Sequence, residues 1–207
     1  MNPFSLNGLY AITDNNLIPQ ERFVETVECA IVGGARIIQY RDKSNDKIQR
    51  FEQAQALSHL CQKYKIPLII NDDVELAQQI RADGVHLGKE DAKFSKARAI
   101  LGTDAIIGVS CYNQLSLAQQ AVKEGASYVA FGRFFISRIK PQAVHAHVDL
   151  LSQARKTFNC PLIAIGGITP DNGAELIAAG ADCLAVIHGL FGQTDVTIAA
   201  QRYTELF

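Results

Sequence analysis

Eight short apolar runs, each followed by a stretch of helical periodicity, constrain this chain more than any other feature. They are GLYAIT (8–13), ARIIQY (35–40), PLIIN (67–71), GVHL (84–87), AIIGVS (105–110), YVAFG (128–132), PLIAIG (161–166) and CLAVI (183–187). Between them lie helix-like segments such as ERFVETVECAIVGG, KIQRFEQAQALSHLCQKY, LSLAQQAVKEGA and DNGAELIAAGA. Strands alternating with helices are the pattern of repeated βα units around a parallel sheet. GGAR, RADGV, EGASY and AGADC each place a glycine before the next strand, where a residue tolerant of positive φ can stop a helix. Eight such pairs predict an α/β protein, a single (β/α)8 TIM barrel, with an open doubly wound sheet as the alternative. No linker or low-complexity stretch divides the 207 residues, so 1–207 reads as one domain.

Charge excludes whole classes of partner. Twenty Lys and Arg stand against 21 Asp and Glu without a basic run, so there is no broad field for a nucleic-acid backbone or an acidic membrane. Any anion must be met locally. The N-terminal MNPFSLNGLYAITD lacks the basic and apolar blocks of an export signal, and no apolar run approaches the ~20 residues that span a bilayer. Cys29, Cys61, Cys111, Cys160 and Cys183 are scattered without CxxC spacing, which suits small core residues in a reducing compartment. A cytoplasmic protein is expected. Homo-oligomerisation is left open.

The polar residues fall immediately after the strands. In QYRDK (39–43), Gln39, Arg41 and Lys43 would share one face of an extended chain and bring an amide and two cations together. A merely solvated strand end is the bland alternative. However, Asn71, Asp72 and Asp73 follow the third run, Lys89, Glu90 and Asp91 the fourth, and Ser110 closes the fifth. Ser137 and Lys140 follow the sixth, and Gly166 and Gly167 the seventh. In a barrel these positions share the C-terminal rim, where active sites are built. Asp72 and Asp91 could face one Mg2+, which takes oxygen ligands and often needs only one or two carboxylates plus substrate phosphates. The alternative is that Asp72 or Asp73 caps the helix VELAQQI and that Asp91 caps the next. In IAIGGITPDN, two glycines and a helix start at TPD suit a phosphate-binding turn, with Ile187 and His188 after the eighth run beside it.

His86, inside a short apolar strand, reads as a satisfied interior residue, and His145 and His147 as residues of a polar loop. No thiol has an evident base partner, and no GxSxG, HExxH or complete P-loop occurs. Nucleophilic cysteine catalysis is therefore not expected.

Taken together, QYRDK, NDDVELA, DGVHLGKED, GVS, GRFFISRIKP and IAIGGITPDN resemble the thiamine-phosphate synthase (thiamine-phosphate pyrophosphorylase) family, in order and over residues 8–192. The resemblance implies a transferase joining a pyrimidine diphosphate to a thiazole phosphate with release of pyrophosphate. It implies that Gln39, Arg41, Lys43, Asn71, Ser110 and Lys140 hold the pyrimidine diphosphate, with Arg41, Lys43, Ser110 and Lys140 serving the chemistry. It brings the neighbours Tyr40, Asp42 and Arg138 into the substrate-binding set. Residues Ser137, Arg138 and Ile139, with Gly167, Ile187 and His188, would contact the thiazole phosphate, and Asp72 and Asp91 would bind Mg2+. Three positions depart from the family's pattern: Ile139 stands where a hydroxyl residue is usual, Tyr112 where His is frequent, and Lys89 where Gln is common. A thiazole tautomerase-like relative and a non-catalytic phosphate-binding barrel are the competing readings.

Overall fold

The computed structural model of the protein describes residues 6–88, 94–136 and 144–207. All eight expected strands form: β1 (Gly8–Ile12), β2 (Ile37–Tyr40), β3 (Leu68–Asn71), β4 (Gly84–Leu87), β5 (Ile106–Tyr112), β6 (Tyr128–Phe131), β7 (Leu162–Ile165) and β8 (Cys183–Val186). Each pairs in parallel with its sequence neighbours, and β8 returns to β1 through Gly8 opposite Cys183. The sheet is thus a closed eight-stranded barrel, and the open-sheet alternative falls. Outside it lie α1 (Phe23–Val32), α2 (Lys47–Tyr64), α3 (Val74–Gln79), α4 (Phe94–Leu101), α5 (Leu115–Glu124), α6 (Asp149–Thr157), α7 (Gly173–Ala178), α8 (His188–Phe191) and α9 (Val196–Thr204).

The strands are apolar on both faces because each face has its own core. Tyr10, Ile12, Ile37, Ile69, Tyr128, Ile163 and Ala185 fill the lumen. Their neighbours in sequence, including Leu9, Ala11, Ile38, Ile70, Val129, Leu162 and Leu184, pack outward against the helices. Period-two alternation of side chains produces this division, and parallel strands buried on both sides need it.

Helix starts and stops follow local chemistry, with two revisions to the sequence reading. Asp46 and Asp195 cap α2 and α9 by accepting from Gln49 N and Ile198 N. Gly34, Gly125 and Gly180 take positive φ as expected. In RADGV the left-handed residue is instead Arg81 (φ 54°), while Gly84 opens β4. Its role there is steric: a Cβ at Gly84 would lie 1.8 Å from the Ile106 carbonyl oxygen, so only glycine lets β5 approach. The TPD segment likewise does not begin a helix. Thr169 N donates to Asn172 Oδ1 at 2.8 Å, and α7 starts at Gly173.

Candidate active site

A cavity of about 560 Å3 opens at the C-terminal ends of the strands, in the size range of small-molecule sites. Gln39, Arg41, Asn71 and Ser110 line it on one side; Gly166, Gly167, Ile187 and His188 line it on the other. Those expected residues, separated by up to 149 positions in the chain (188 minus 39), are brought together because each lies near or just beyond the C-terminal end of a strand.

Arg41 is held rigidly by residues that the sequence reading passed over. Thr13, just beyond β1, accepts from Arg41 N at 2.8 Å and reaches the Arg41 carbonyl at 3.2 Å. Asp14 accepts from Arg41 Nη1 at 2.9 Å, with the two side chains only 5% and 13% exposed. The pair is largely removed from water, so its geometry fixes the guanidinium over the cavity. An acid directly after GLYAIT, on the same rim as the other polar residues, was the available signal.

The neighbouring QYRDK residues divide. Tyr40 and Asp42 do not face the cavity, contrary to their expected place in the substrate-binding set. The Tyr40 ring packs edge-on against Phe23, and its hydroxyl lies 3.1 Å from Gln53 Oε1. Asp42 closes its own turn by accepting from Ser44 N at 2.7 Å. Strand alternation puts Tyr40 on the helix side, whereas Asp42 lies beyond the end of β2 and is turned away by its bonds to Ser44. Lys43 does not line the cavity either: β2 ends at Tyr40, so the alternation is not carried to residue 43. Instead Lys43 forms an ion pair with Asp72, and Asn71 Nδ2 donates to the same carboxylate. This cluster joins the cavity through Asn71.

The two adjacent aspartates separate cleanly. Asp73 is the cap of α3, accepting from Leu76 N at 2.9 Å and from Arg50 Nη2 at 2.7 Å. Asp72 takes φ 64°, a left-handed turn that directs its carboxylate to Lys43 and Asn71 rather than to the helix. Opposite outcomes follow for two variants. Asp73→Ala is expected to lower stability by about 1–2 kcal/mol, by loss of the cap, with turnover retained. Asp72→Asn is expected to slow turnover while leaving the denaturation midpoint nearly unchanged. Equal effects in parallel denaturation and rate measurements would defeat the division.

His86 is interior and hydrogen-bonded, as expected, yet it also lines the cavity. Its Nε2 lies 2.8 Å from Ser110 Oγ and its Nδ1 3.0 Å from Tyr128 Oη, with the two rings stacked at 5.7 Å. Its place on the lumen face opposite Gly108 explains why: glycine there leaves room for the Tyr128 ring. Burial pushes the Cys61 and Cys111 thiols up to about 12, away from the thiolate form.

At the opposite rim Gly166 and Gly167 take φ 104° and 67°. A Cβ on Gly167 would stand 2.4 Å from the Ile136 carbonyl, so the turn accepts only glycine. Asn172 Nδ2 pins it by donating to Gly167 O at 3.2 Å. Lys89, Glu90 and Asp91, and Ser137, Arg138, Ile139 and Lys140, lie outside the described residues.

A closed barrel with a part-buried arginine, converging amides and a hydroxyl on one rim, and a double-glycine turn across from them has the form of a barrel enzyme with a small-molecule site. Residues 9–190 match the family model described as thiamine monophosphate synthase. The chain belongs to that family, and with it to the transferases. It is 50% identical over 203 residues to a thiamine-phosphate synthase of Nitrosococcus oceani, covering 98% of this chain and 94% of the relative. A thiamine-phosphate synthase of Saccharophagus degradans is 51% identical over 200 residues, covering 96% and 92%. Among solved structures, a thiamine phosphate pyrophosphorylase from Pyrococcus furiosus superposes with a TM-score of 0.88 at 33% identity, covering 98% of this chain and 96% of the other.

Proposed function

We propose that the protein is a thiamine-phosphate synthase joining 4-amino-2-methyl-5-hydroxymethylpyrimidine diphosphate to a thiazole phosphate. The observation that carries this reading is Arg41, held by the nearly buried Asp14 and lining a cavity shared with Gln39, Asn71 and Ser110. That arrangement can recognise a heterocycle through an amide and hold a diphosphate through a fixed guanidinium and a hydroxyl. The double-glycine turn and the start of α8 at His188 across the cavity suit a second, singly phosphorylated substrate.

The chemistry asks little of a catalytic base. The bond between the pyrimidine methylene and the diphosphate oxygen breaks first, the bonding pair leaving with diphosphate while the aminopyrimidine delocalises the positive charge. The thiazole nitrogen then donates its lone pair to that carbon. In this reading Arg41, which lines the cavity, stabilises the charge gathering on the leaving group, joined by Lys140 and by Lys43 once it exchanges its Asp72 partner for the diphosphate.

Asp72 and Asp91 would hold Mg2+. The Asp72 carboxylate suits it: an oxygen donor not used as a helix cap, beside the cavity residue Asn71. When bound, the ion supplies Lewis-acid charge to the diphosphate oxygens. The five free cysteines agree with a cytoplasmic setting. No helix among the described residues is long and apolar enough to cross a membrane.

The deciding experiment mixes purified protein with both substrates and Mg2+. Thiamine phosphate and pyrophosphate should appear in equal amounts. Isomerised thiazole phosphate without coupling would favour a tautomerase, and binding without product a non-catalytic barrel.

A further inference from the structure

Five side chains from five strands form one hydrogen-bonded row across the lumen. Gln39 Nε2 donates to Tyr10 Oη at 2.8 Å, and Tyr10 Oη lies 2.8 Å from Tyr128 Oη. Tyr128 Oη lies 3.0 Å from His86 Nδ1, and His86 Nε2 lies 2.8 Å from Ser110 Oγ. Gln39 and Ser110, the two ends, both line the cavity, whereas Tyr128 lies behind it and is fully buried.

Each phenol carries a single hydrogen, so the direction of one bond sets the next. With Gln39 donating, the Tyr10 hydrogen goes to Tyr128, its other partner among the described residues. The Tyr128 hydrogen then goes to His86 Nδ1, which must be an acceptor. The imidazole proton is left on Nε2, from which it is donated to Ser110 Oγ. Ser110 is thereby satisfied as an acceptor, and its own hydrogen is available to the cavity. An oxyanion can only accept, so this is the orientation that a diphosphate needs. The reverse row, with Gln39 accepting, would place the proton on Nδ1 and turn the Ser110 hydrogen toward His86 and away from substrate.

We propose that Tyr10 and Tyr128 are positioning residues that hold His86 as the neutral Nε2–H tautomer and so preset Ser110 as a donor to the leaving diphosphate. Burial raises both phenols above their ordinary range, which keeps each hydrogen in the row. The role assigned to Ser110 rests on the synthase reading, but the tautomer does not.

Nitrogen-15 spectra of the histidines in the full chain at mildly alkaline pH read the tautomer directly, with His86 assigned by its loss in His86→Asn. The expected wild-type result is a neutral Nε2–H ring. Tyr128→Phe, which removes one oxygen from the row, should abolish the single-tautomer signature and lower kcat about tenfold, with KM for the thiazole phosphate unchanged; that is the scale of one hydrogen bond to a charged group. Tyr10→Phe keeps the Tyr128–His86 hydrogen bond but removes the donor that sets its direction, and should yield mixed tautomers. A wild-type Nδ1–H ring or imidazolium would overturn the proposal, as would a Tyr128→Phe enzyme with full kcat. If Tyr128→Phe does not fold, the wild-type and Tyr10→Phe spectra still decide. A chain that shows the expected tautomer but makes no thiamine phosphate would defeat the synthase reading and leave the row standing.

Discussion

Arg41→Ala is expected to reduce kcat/KM by about 100- to 1000-fold, the scale of losing one preorganised donor to developing negative charge. It should also destabilise the fold by about 3 kcal/mol. The second effect comes from Asp14, whose side chain is 5% exposed and would be left as an unpaired buried carboxylate. A double variant separates the two: Asp14→Asn with Arg41→Ala should recover most of the lost stability, because no isolated charge remains, yet recover none of the activity. Urea denaturation together with steady-state kinetics would check both. Activity returning with stability would mean that Arg41 acts only through folding, and its place over the substrate would have to be abandoned.

Gly108→Ala should have the next largest effect, although residue 108 carries no chemistry. An added Cβ would lie 1.9 Å from Tyr128 Cζ and 2.4 Å from its hydroxyl oxygen. Gly108 pairs directly with Tyr128 across β5 and β6 and with His86 across β4 and β5, so the ring has no lateral escape within the sheet. Overpacking of this kind costs about 1–3 kcal/mol. Displacement of Tyr128 should additionally slow turnover by at least about tenfold, because His86 and Ser110 lose their alignment. Gly102→Ala serves as the control. Nothing lies within 4 Å of its added Cβ, and its φ of 85° leaves only backbone strain of about 1 kcal/mol. Kinetics intact in Gly108→Ala would show that the lumen can repack around Tyr128.

The two variants illustrate different degrees of legibility in the sequence. Arg41 was visible because QYRDK sets charge at the end of an apolar run, an arrangement that local pattern alone marks as unusual. Gly108 was not, since a glycine inside AIIGVS has no partner in the one-dimensional chain. What gives it meaning is a tyrosine 20 residues away on the adjacent strand (128 minus 108).

Strand count and the rim that carries the cavity were legible in the sequence, whereas strand order was decided by barrel closure, which removed the open doubly wound alternative. Period-two burial and helical spacing are properties of consecutive residues, and the right-handed βα connection leaves little freedom in how they assemble. The assignment of Gln39, Arg41, Asn71 and Ser110 to one cavity followed from their positions at strand ends. Only the tertiary structure decided which of two adjacent aspartates caps α3, because both fit the cap by spacing, and the left-handed turn at Asp72 depends on its surroundings. It also decided that Tyr40 and Asp42 turn away from the cavity, that Lys43 meets Asp72, and that Asp14 holds Arg41. The hydrogen-bonded row from Gln39 to Ser110 was beyond reach for the same reason. Its members come from five different strands, and hydrogen bonds of 2.8–3.0 Å between them exist only once barrel closure has fixed how those strands face one another.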